Sequence, residues 1–395
     1  MKINISDRMK DMSPSAVREI FKSLADPDVI SFAGGNPSPK TFPAKELSQI
    51  SERLFRDQSQ VFMQYGITEG LPKLRELTKK RMSEKYSLMG SSDELIITSG
   101  GQQAIDLALK VLTNEGDCVI CENPSFIGGL NDIRSYKTRL VGIPVDESGM
   151  DMDALEQALK TEKNVKLIYT IPTFQNPTGV TMTAERRKRM YELAVLYNVI
   201  ILEDSPYFEI GFTDEMLPCI KSFDKTGHVI FCGSYSKVVS PGLRVGFLIA
   251  NRDIMTKAVV AKQCSDVHTS ILPQMLVAEY LENYDMDAHI QQCRDLYKNA
   301  RDRMLRGLER HCGSRIEFTR PQGGLFIWCT LPKGLSGYDF CLKTGERKLV
   351  CVPGSAFDTG EDRSNCGFRL NYSMPSPEQI DTGTEIIGQC LDEFL

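Results

Sequence analysis

The chain has 395 residues, of which 41% are hydrophobic and 25% charged, values typical of a globular protein with more than one domain. Its formal net charge of −5, with acidic and basic residues dispersed, argues against a surface for nucleic acid or anionic membrane. No apolar run is long enough to span a membrane, and residues 1–10 are too polar for the core of a signal peptide, so the sequence predicts a cytoplasmic protein.

The first chemical signal in chain order is a glycine turn between a predicted strand and a predicted helix. Apolar residues predict a strand at Glu94–Ile97, and apolar spacing predicts a helix over Ala104–Leu112. Between them lie Gly100, Gly101 and Gln102, where free N–H groups and the helix dipole favour an anion. The turn matches neither a Walker A loop nor a dinucleotide-binding fingerprint. An ordinary tight turn is the alternative.

Polar residues follow two further predicted strands. The strand Val165–Tyr169 is followed by Asn176 in an Asn-Pro-Thr-Gly turn, and the strand Val199–Leu202 is followed by Asp204 and Tyr207. Ligands bind where the carboxyl ends of parallel strands meet, so we expect these three side chains to lie together. Taken singly, the first motif is more often a simple turn and the second a helix cap.

The most informative segment is Ser234-Tyr235-Ser236-Lys237, with Arg244 seven residues beyond the lysine. A lysine that forms an imine must be neutral part of the time, and hydroxyls with a guanidinium suit a phosphate dianion. Pyridoxal phosphate needs both, an amine for its aldehyde and a clamp for its phosphate. The alternative is a solvated loop with an ordinary lysine.

A pyridoxal ring also needs an acid beneath its nitrogen, because only the protonated ring withdraws electrons fully from the substrate α-carbon. Asp204 is the candidate acid. Asn176 and Tyr207 are candidates for hydrogen bonds to the phenolic oxygen of the ring, which stabilise its anion.

The remaining elements predict two domains. Strands alternate with helices from about residue 93 to 250, which predicts a mainly parallel sheet covered on both faces. After it, Ala288–Arg310 predicts a long amphipathic helix, and strands at Gly324–Trp328 and Leu349–Val352 precede a closing helix. This part predicts a smaller α+β domain.

Cysteine and histidine spacing predicts neither disulfides nor a metal site. The 12 cysteines are scattered through apolar segments, and the Cys118–Cys121 pair lies within a predicted strand, so buried free thiols are expected. The 4 histidines form no ligand pair.

With these motifs in this order along the sequence, the chain resembles pyridoxal-phosphate-dependent aminotransferases of fold type I, class I and II. Within that class it resembles the kynurenine/2-aminoadipate aminotransferase group, and the similarity runs from Ser31–Pro37 to Phe368–Ser373. The resemblance implies that Lys237 bonds to the cofactor and moves the proton, that Asp204 pairs with the ring nitrogen, and that Arg369 binds the substrate α-carboxylate as a fork. The further implied contacts are Asn176 and Tyr207 at the ring oxygen, Phe126 on the ring face, Gly101, Gln102, Ser234, Ser236 and Arg244 at the phosphate, and Gly35 and Asn176 at the substrate.

The resemblance also implies an α/β architecture. A large pyridoxal-phosphate-binding domain over residues 46–285 would contain a mainly parallel sheet of the seven-stranded type flanked by helices. Residues 1–45 and 286–395 would together form the small α+β domain. A homodimer is implied, in which Tyr65 of one subunit reaches the phosphate held by its neighbour.

Two residues depart from the family pattern. Gly101 stands where serine is usual, so one hydroxyl contact to the phosphate is missing. Phe126 stands where the group usually has tyrosine, so the ring stacks without a hydroxyl.

The predicted reaction is ping-pong amino transfer between an L-amino acid (aromatic, 2-aminoadipate-like or aliphatic) and a 2-oxo acid, with 2-oxoglutarate as the expected acceptor. Lyase, decarboxylase and racemase chemistry are the alternatives within the same cofactor class. A ligand-sensing regulator is the alternative outside it, disfavoured because little sequence precedes Phe32. Arg18 is a candidate partner for a distal substrate carboxylate on a mobile segment, and a solvated surface charge is its alternative.

Overall fold

The computed structural model describes residues 3–10, 28–213, 216–360 and 362–395. The strands of this part are, in chain order, β1 (Ile30–Ser31), β2 (Asp93–Thr98), β3 (Cys118–Asn123), β4 (Arg139–Asp146), β5 (Gly149–Met150), β6 (Val165–Thr170), β7 (Ile200–Asp204), β8 (Val229–Ser234), β9 (Gly246–Asn251), β10 (Glu317–Phe318), β11 (Phe326–Thr330), β12 (Leu349–Val350), β13 (Val352–Pro353) and β14 (Gly367–Asn371). The α-helices are α1 (Asp7–Lys10), α2 (Ala44–Asp57), α3 (Ser59–Phe62), α4 (Pro72–Tyr86), α5 (Gly101–Leu112), α6 (Ile127–Ser135), α7 (Met152–Thr161), α8 (Ala184–Tyr197), α9 (Arg252–Gln263), α10 (Ile271–Asn283), α11 (Met286–Cys312), α12 (Gly337–Glu346) and α13 (Pro377–Phe394).

The larger sheet has the strand order β2-β9-β8-β7-β6-β3-β4-β5. Strands β8, β7, β6, β3 and β4 pair in parallel, whereas β9 runs antiparallel to both β2 and β8. The two-residue strand β5 pairs antiparallel with β4 and is one strand more than the seven-stranded type expected from the sequence. The carboxyl ends of β6, β7 and β8 lie side by side, which forms the edge where ligands bind in such sheets.

Both faces of this sheet are covered, as its apolar strands require. Along β3, Val119 and Cys121 belong to one cluster of buried side chains, and Cys118 and Ile120 belong to another. Because successive side chains of a strand point to opposite faces, the two clusters lie on the two sides of the sheet. Cys118 and Cys121 are buried free thiols, in line with the sequence prediction.

A second sheet of four antiparallel strands, in the order β10-β11-β14-β13, lies in the carboxyl-terminal part. The long helix predicted at residues 288–310 is α11, and it packs against α13. Strand β1 pairs in parallel with β12, with Ile30 opposite Leu349. We propose on this pairing that residues 1–45 and 286–395 form one domain and residues 46–285 the other.

Several smaller features of the structure concern cysteines, strand bounds, metal ligands and helix apolarity. The 12 cysteines are all free, and they are buried as expected except for Cys264, which is exposed, and Cys366, which is half-buried. Glu203 and Asp204 are the last two residues of β7, whereas the sequence interpretation ended this strand at Leu202. Within the described ranges, no group of histidine, cysteine and carboxylate side chains is arranged to hold a metal ion. Among the helices of these ranges, none combines the length and apolarity needed to cross a bilayer.

Candidate active site

One cleft at the carboxyl ends of β6, β7 and β8 gathers most of the predicted site residues. Tyr65 lies outside this cleft, and Arg18 lies outside the described residues, so its predicted role stays a prediction. The predicted residues that line the cleft are Gly35, Gly101, Gln102, Phe126, Asn176, Asp204, Tyr207, Ser234, Ser236, Lys237, Arg244 and Arg369.

Lys237 follows β8 and reaches the middle of the cleft. Its Nζ donates a hydrogen bond of 2.8 Å to the backbone oxygen of Gly35 and lies 5.7 Å from the centre of the Tyr207 ring. Burial, followed by the positive charges of Arg369 and Arg244, lowers the pKa of Lys237 from 10.5 to about 8. An appreciable fraction of this lysine is therefore a neutral, nucleophilic amine near neutral pH.

Asp204 ends β7 as a buried carboxylate, 4% exposed. The fully buried Tyr169 donates its hydroxyl hydrogen to Oδ2 of Asp204 at 2.9 Å. Burial raises the pKa of Asp204 to about 7, against the opposite effect of the Tyr169 hydrogen bond. A cation placed against this carboxylate would favour its ionised form.

Arg369, in β14, is fixed by hydrogen bonds and by contacts with aromatic rings. Its Nη1 donates to Oδ1 of Asn176 at 2.7 Å, and its Nη2 donates to the backbone oxygen of Ala33 at 2.6 Å. The guanidinium carbon lies 4.2 Å from the ring centre of Phe326 and 4.8 Å from that of Phe357. Burial lowers the pKa of Arg369 to about 10, and its Nε has no partner within the described part of the chain. A buried donor of this kind suits a ligand carboxylate.

The turn before α5 lies against the guanidinium of Arg244. Gly100 caps the helix with φ 84°, a conformation that favours glycine. A Cβ at Gly100 would lie 2.2 Å from Nη2 of Arg244, so this glycine also makes room for the guanidinium. The N–H groups of Gly101 and Gln102 belong to the first helical turn and have no partner inside the helix.

Two serines complete the polar end of the cleft. Ser234 ends β8, and its Oγ accepts a hydrogen bond of 3.1 Å from the N–H of Ser236. Hydroxyls, free N–H groups and a guanidinium are the donors that phosphate requires. The side chain of Gln102 is not among them, because its Nε2 donates to Gly128 O at 2.9 Å and to Oδ2 of Asp132 at 2.6 Å. Only the backbone N–H of Gln102 is left for an anion.

Two adjacent glycines in the first turn of α6 make room for aromatic rings at and beside the cleft. A Cβ at Gly128 would lie 2.5 Å from the ring of Phe126, and a Cβ at Gly129 would lie 2.6 Å from the ring of Tyr169. Each glycine weakens a helix by about 1 kcal/mol relative to alanine. The close approach of the two rings gives a reason for this cost. Here the two missing side chains let Phe126 and Tyr169 lie against the backbone of α6.

Tyr65 is 83% exposed, and its ring packs edge-on against His268 with 5.9 Å between ring centres. Val61, Met63 and Ile67, close to Tyr65 in sequence, are also exposed, and so is Val267, which precedes His268. We call this group, with Tyr65, the exposed apolar patch. A patch of large apolar side chains is typical of a protein interface.

The sequence interpretation missed Tyr169, Phe326 and Phe357 as parts of the site. Tyr169 is the last residue of the predicted strand Val165–Tyr169. A phenol at the end of an apolar strand was the signal that could have identified it as a site residue. Tyr169 pairs with Leu202, which shares a face of β7 with Asp204, but this register is not readable from sequence. Nothing in the sequence distinguished the two phenylalanines from core residues.

Comparisons with known proteins identify the family of this chain. A family model described as aminotransferase class I and II matches residues 27–387. The aromatic-amino-acid aminotransferase 1 of Thermococcus litoralis is 38% identical over 99% of this chain and 94% of its own length. A crystal structure of the kynurenine aminotransferase of Pyrococcus horikoshii, in complex with PMP and kynurenine, superposes with a TM-score of 0.95 at 36% identity, covering 99% of this chain and 97% of that one.

A third similar protein carries a cofactor derivative. LysN, the α-aminoadipate aminotransferase of Thermus thermophilus, complexed with N-(5'-phosphopyridoxyl)-L-leucine, has a TM-score of 0.91 at 35% identity. The matched part covers 99% of this chain and 97% of LysN.

Proposed function

The chain belongs to the class I and II aminotransferase family, whose members depend on pyridoxal phosphate, and on that basis we propose how its own residues carry out amino transfer. The proposed reaction moves an amino group from an L-amino acid to a 2-oxo acid in two half-reactions. The observation that carries the proposal is the position of Lys237, whose partly neutral amine lies in one cleft with Asp204 and Arg369.

The cleft residues fit pyridoxal phosphate at each end. Arg244, the hydroxyls of Ser234 and Ser236, and the free N–H groups at the start of α5 would hold the phosphate. At the other end Asp204 would face the ring nitrogen, and Asn176 and Tyr207 would donate to the ring oxygen. Phe126 would lie on the ring face.

When bound, pyridoxal phosphate supplies an aldehyde that condenses with an amine and a ring that withdraws electrons from the substrate α-carbon. Asp204 would favour the protonated ring nitrogen, because a buried carboxylate is stabilised by a cation placed against it. Tyr169 assists by donating to the same carboxylate. Lys237, as a neutral amine, would take the proton from the substrate α-carbon and act as the general base and acid of the reaction.

Arg369 orients the substrate for this proton transfer. Its Nε is unpartnered among the described residues, and its guanidinium carbon lies close to the rings of Phe326 and Phe357, so an α-carboxylate can bind it in a largely apolar environment. Asn176 accepts the hydrogen bond from Nη1 and lines the same cleft, so it would link the residue that binds the substrate carboxylate to the cofactor ring. A flexible lysine at this position would not reproduce the fork.

A homodimer with shared sites is part of the proposal. The exposed apolar patch would be covered by the second subunit, and Tyr65 would reach the phosphate held there. This would explain why the large aromatic side chain of Tyr65 is 83% exposed in the subunit described.

A panel of amino acids tests the reaction type and the substrate. Purified enzyme is mixed with aromatic, aliphatic and 2-aminoadipate donors, and the cofactor absorbance is followed before and after adding 2-oxoglutarate. We expect the visible absorbance to disappear with the donor and to return with the acceptor. Pyruvate with ammonia, carbon dioxide or the opposite enantiomer, formed without a new amino acid from 2-oxoglutarate, would point instead to lyase, decarboxylase or racemase chemistry.

A further inference from the structure

A buried lysine outside the cleft is the centre of a hydrogen-bond network. Lys262, in the last turn of α9, is 0% exposed. Its Nζ donates to Oε1 of Gln103 at 2.8 Å, to Oδ1 and Oδ2 of Asp266 at 2.8 and 2.9 Å, and to Oγ1 of Thr269 at 3.0 Å. An ammonium removed from water is costly unless each hydrogen finds an acceptor, and here all three do.

The same network continues into the turn before α5. Ser99 donates its N–H to Oε1 of Gln103 at 2.8 Å and its hydroxyl to Oδ2 of Asp266 at 2.7 Å. Gln103 also donates its Nε2 to Oδ2 of Asp266 at 2.8 Å. The backbone oxygen of Ser99 accepts from Nη2 of Arg244 at 3.2 Å. The glycine turn and Arg244 are therefore both attached to Lys262 through this network.

We propose that Lys262, together with Asp266 and Gln103, positions the phosphate site. The three residues fix the turn from Ser99 to Gln102 and, through Ser99, the guanidinium of Arg244. The inference rests on the proposed function, because the phosphate concerned is that of the proposed cofactor. None of the three side chains lines the cleft.

Preorganisation is the physical reason for such a network. The turn contains Gly100 at φ 84°, and free glycine samples many other conformations. The N–H groups of Gly101 and Gln102 converge on an anion only when this turn is fixed. A turn already ordered before binding loses less entropy when the phosphate arrives, so the complex dissociates more slowly.

A second buried lysine provides a matched control. The Lys221 side chain is 1% exposed, and its Nζ pairs with Asp93 and Asp224, each at 2.9 Å, and donates to Val229 O at 2.9 Å. Val229 begins β8, and the opposite end of this strand is Ser234. Five residues of strand separate the two ends by roughly 17 Å, so Lys221 belongs to the far edge of the sheet.

The experiment compares holoenzymes of wild type, Lys262→Met, Asp266→Asn and Lys221→Met. Cofactor release is followed by visible absorbance during dilution into inorganic phosphate, and the melting temperature and the kcat at saturating pyridoxal phosphate are measured in parallel. Loss of a charged hydrogen-bond network predicts release at least about tenfold faster in Lys262→Met and Asp266→Asn, with kcat within about twofold of wild type. Lys221→Met should melt earlier yet release cofactor at the wild-type rate.

Pyridoxal without its phosphate adds a specific readout. Its binding should be the same in Lys262→Met and wild type, because only the phosphate end is affected. Wild-type release rates in folded Lys262→Met and Asp266→Asn, or equal weakening toward pyridoxal and pyridoxal phosphate, would overturn the positioning role. If Lys262→Met does not fold, Asp266→Asn, which keeps the side-chain volume, decides the question. A wild-type protein that holds no pyridoxal phosphate would instead contradict the proposed function.

Discussion

The phenol of Tyr169 and the carboxylate of Asp204 are joined by a hydrogen bond of 2.9 Å between neighbouring parallel strands. Tyr169 is wholly buried and its ring lies against Gly129, so the phenol has little freedom to turn away. This bond is the main contact that lowers the pKa of Asp204, whose burial acts in the opposite direction. The ionised form of Asp204 is therefore maintained in part by a residue of β6.

Tyr169→Phe tests this relationship. Removal of the donor should raise the pKa of Asp204, so the acidic limb of the kcat profile should move to higher pH. A hydrogen bond to a charged group contributes about 1.5–3 kcal/mol, so kcat near neutral pH should fall about tenfold or more. The matched control is Tyr86→Phe, because Tyr86 donates to Oε1 of Glu209 at 2.6 Å outside the cleft. An unchanged pH profile in Tyr169→Phe would show that Asp204 does not depend on this bond.

Lys237→Met should stabilise the protein once the cofactor has been removed. The native pKa of Lys237 is about 8, below the ordinary 10.5, so at neutral pH folding buries a charge at a cost. Between about pH 8 and 10.5 the unfolded chain binds more protons than the native one, so this cost falls as pH rises. Urea unfolding should show a gain on the order of 2 kcal/mol at pH 7 that shrinks toward pH 10. A variant less stable than wild type at pH 7 would contradict the pKa assigned to Lys237.

Gly101→Ser should strengthen cofactor binding. A Cβ at Gly101 would meet only the Cβ of Ser234, at 3.9 Å, which is ordinary contact, and the new hydroxyl would lie at the phosphate end of the cleft. One added hydrogen bond predicts cofactor release about two- to tenfold slower. Gly100→Ala provides the contrast, because its Cβ would collide with Arg244 and the backbone has φ 84°. Faster release from Gly101→Ser would show that this end has no room for the hydroxyl.

Hybrid dimers test the sharing of sites between subunits. Lys237→Ala and Tyr65→Ala should each be inactive or nearly so as pure proteins. If Tyr65 serves the neighbouring subunit, a hybrid of the two variants contains one complete site. Random mixing after unfolding and refolding should therefore recover about a quarter of the wild-type activity. No recovery, together with a monomer in sedimentation, would exclude the proposed dimer.

Much of the scaffold was predictable because it depends on local patterns. Apolar runs identified β2, β3 and β6 within a residue or two, and the rule for carboxyl ends of parallel strands predicted that Asn176, Asp204 and Tyr207 lie at one edge, where all three line the cleft. Contacts between distant segments were not predictable. The pair of Tyr169 and Asp204 depends on strand register, and the network of Lys262 depends on how α9 packs against the start of α5.

The side chain of Gln102 shows a second limit of prediction from sequence. Its place at the start of α5 suggested a phosphate contact, yet its amide is engaged by Gly128 and Asp132 of α6. The position of Gln102 at the start of a helix predicts where its backbone N–H points, because the helix fixes the backbone. The direction of its flexible side chain depends on tertiary neighbours, which the sequence does not reveal.

Borohydride reduction of the purified holoenzyme, followed by peptide mapping, tests the central claim most directly. Reduction should abolish the visible absorbance and fix a pyridoxyl group on Lys237, in the peptide that contains Ser234 and Ser236. Lys221 and Lys262, which are also buried, should carry none, because carboxylates outside the cleft hold both ammonium groups. A stoichiometric label on any lysine other than Lys237 would contradict the assignment of Lys237 as the residue that bonds to the cofactor.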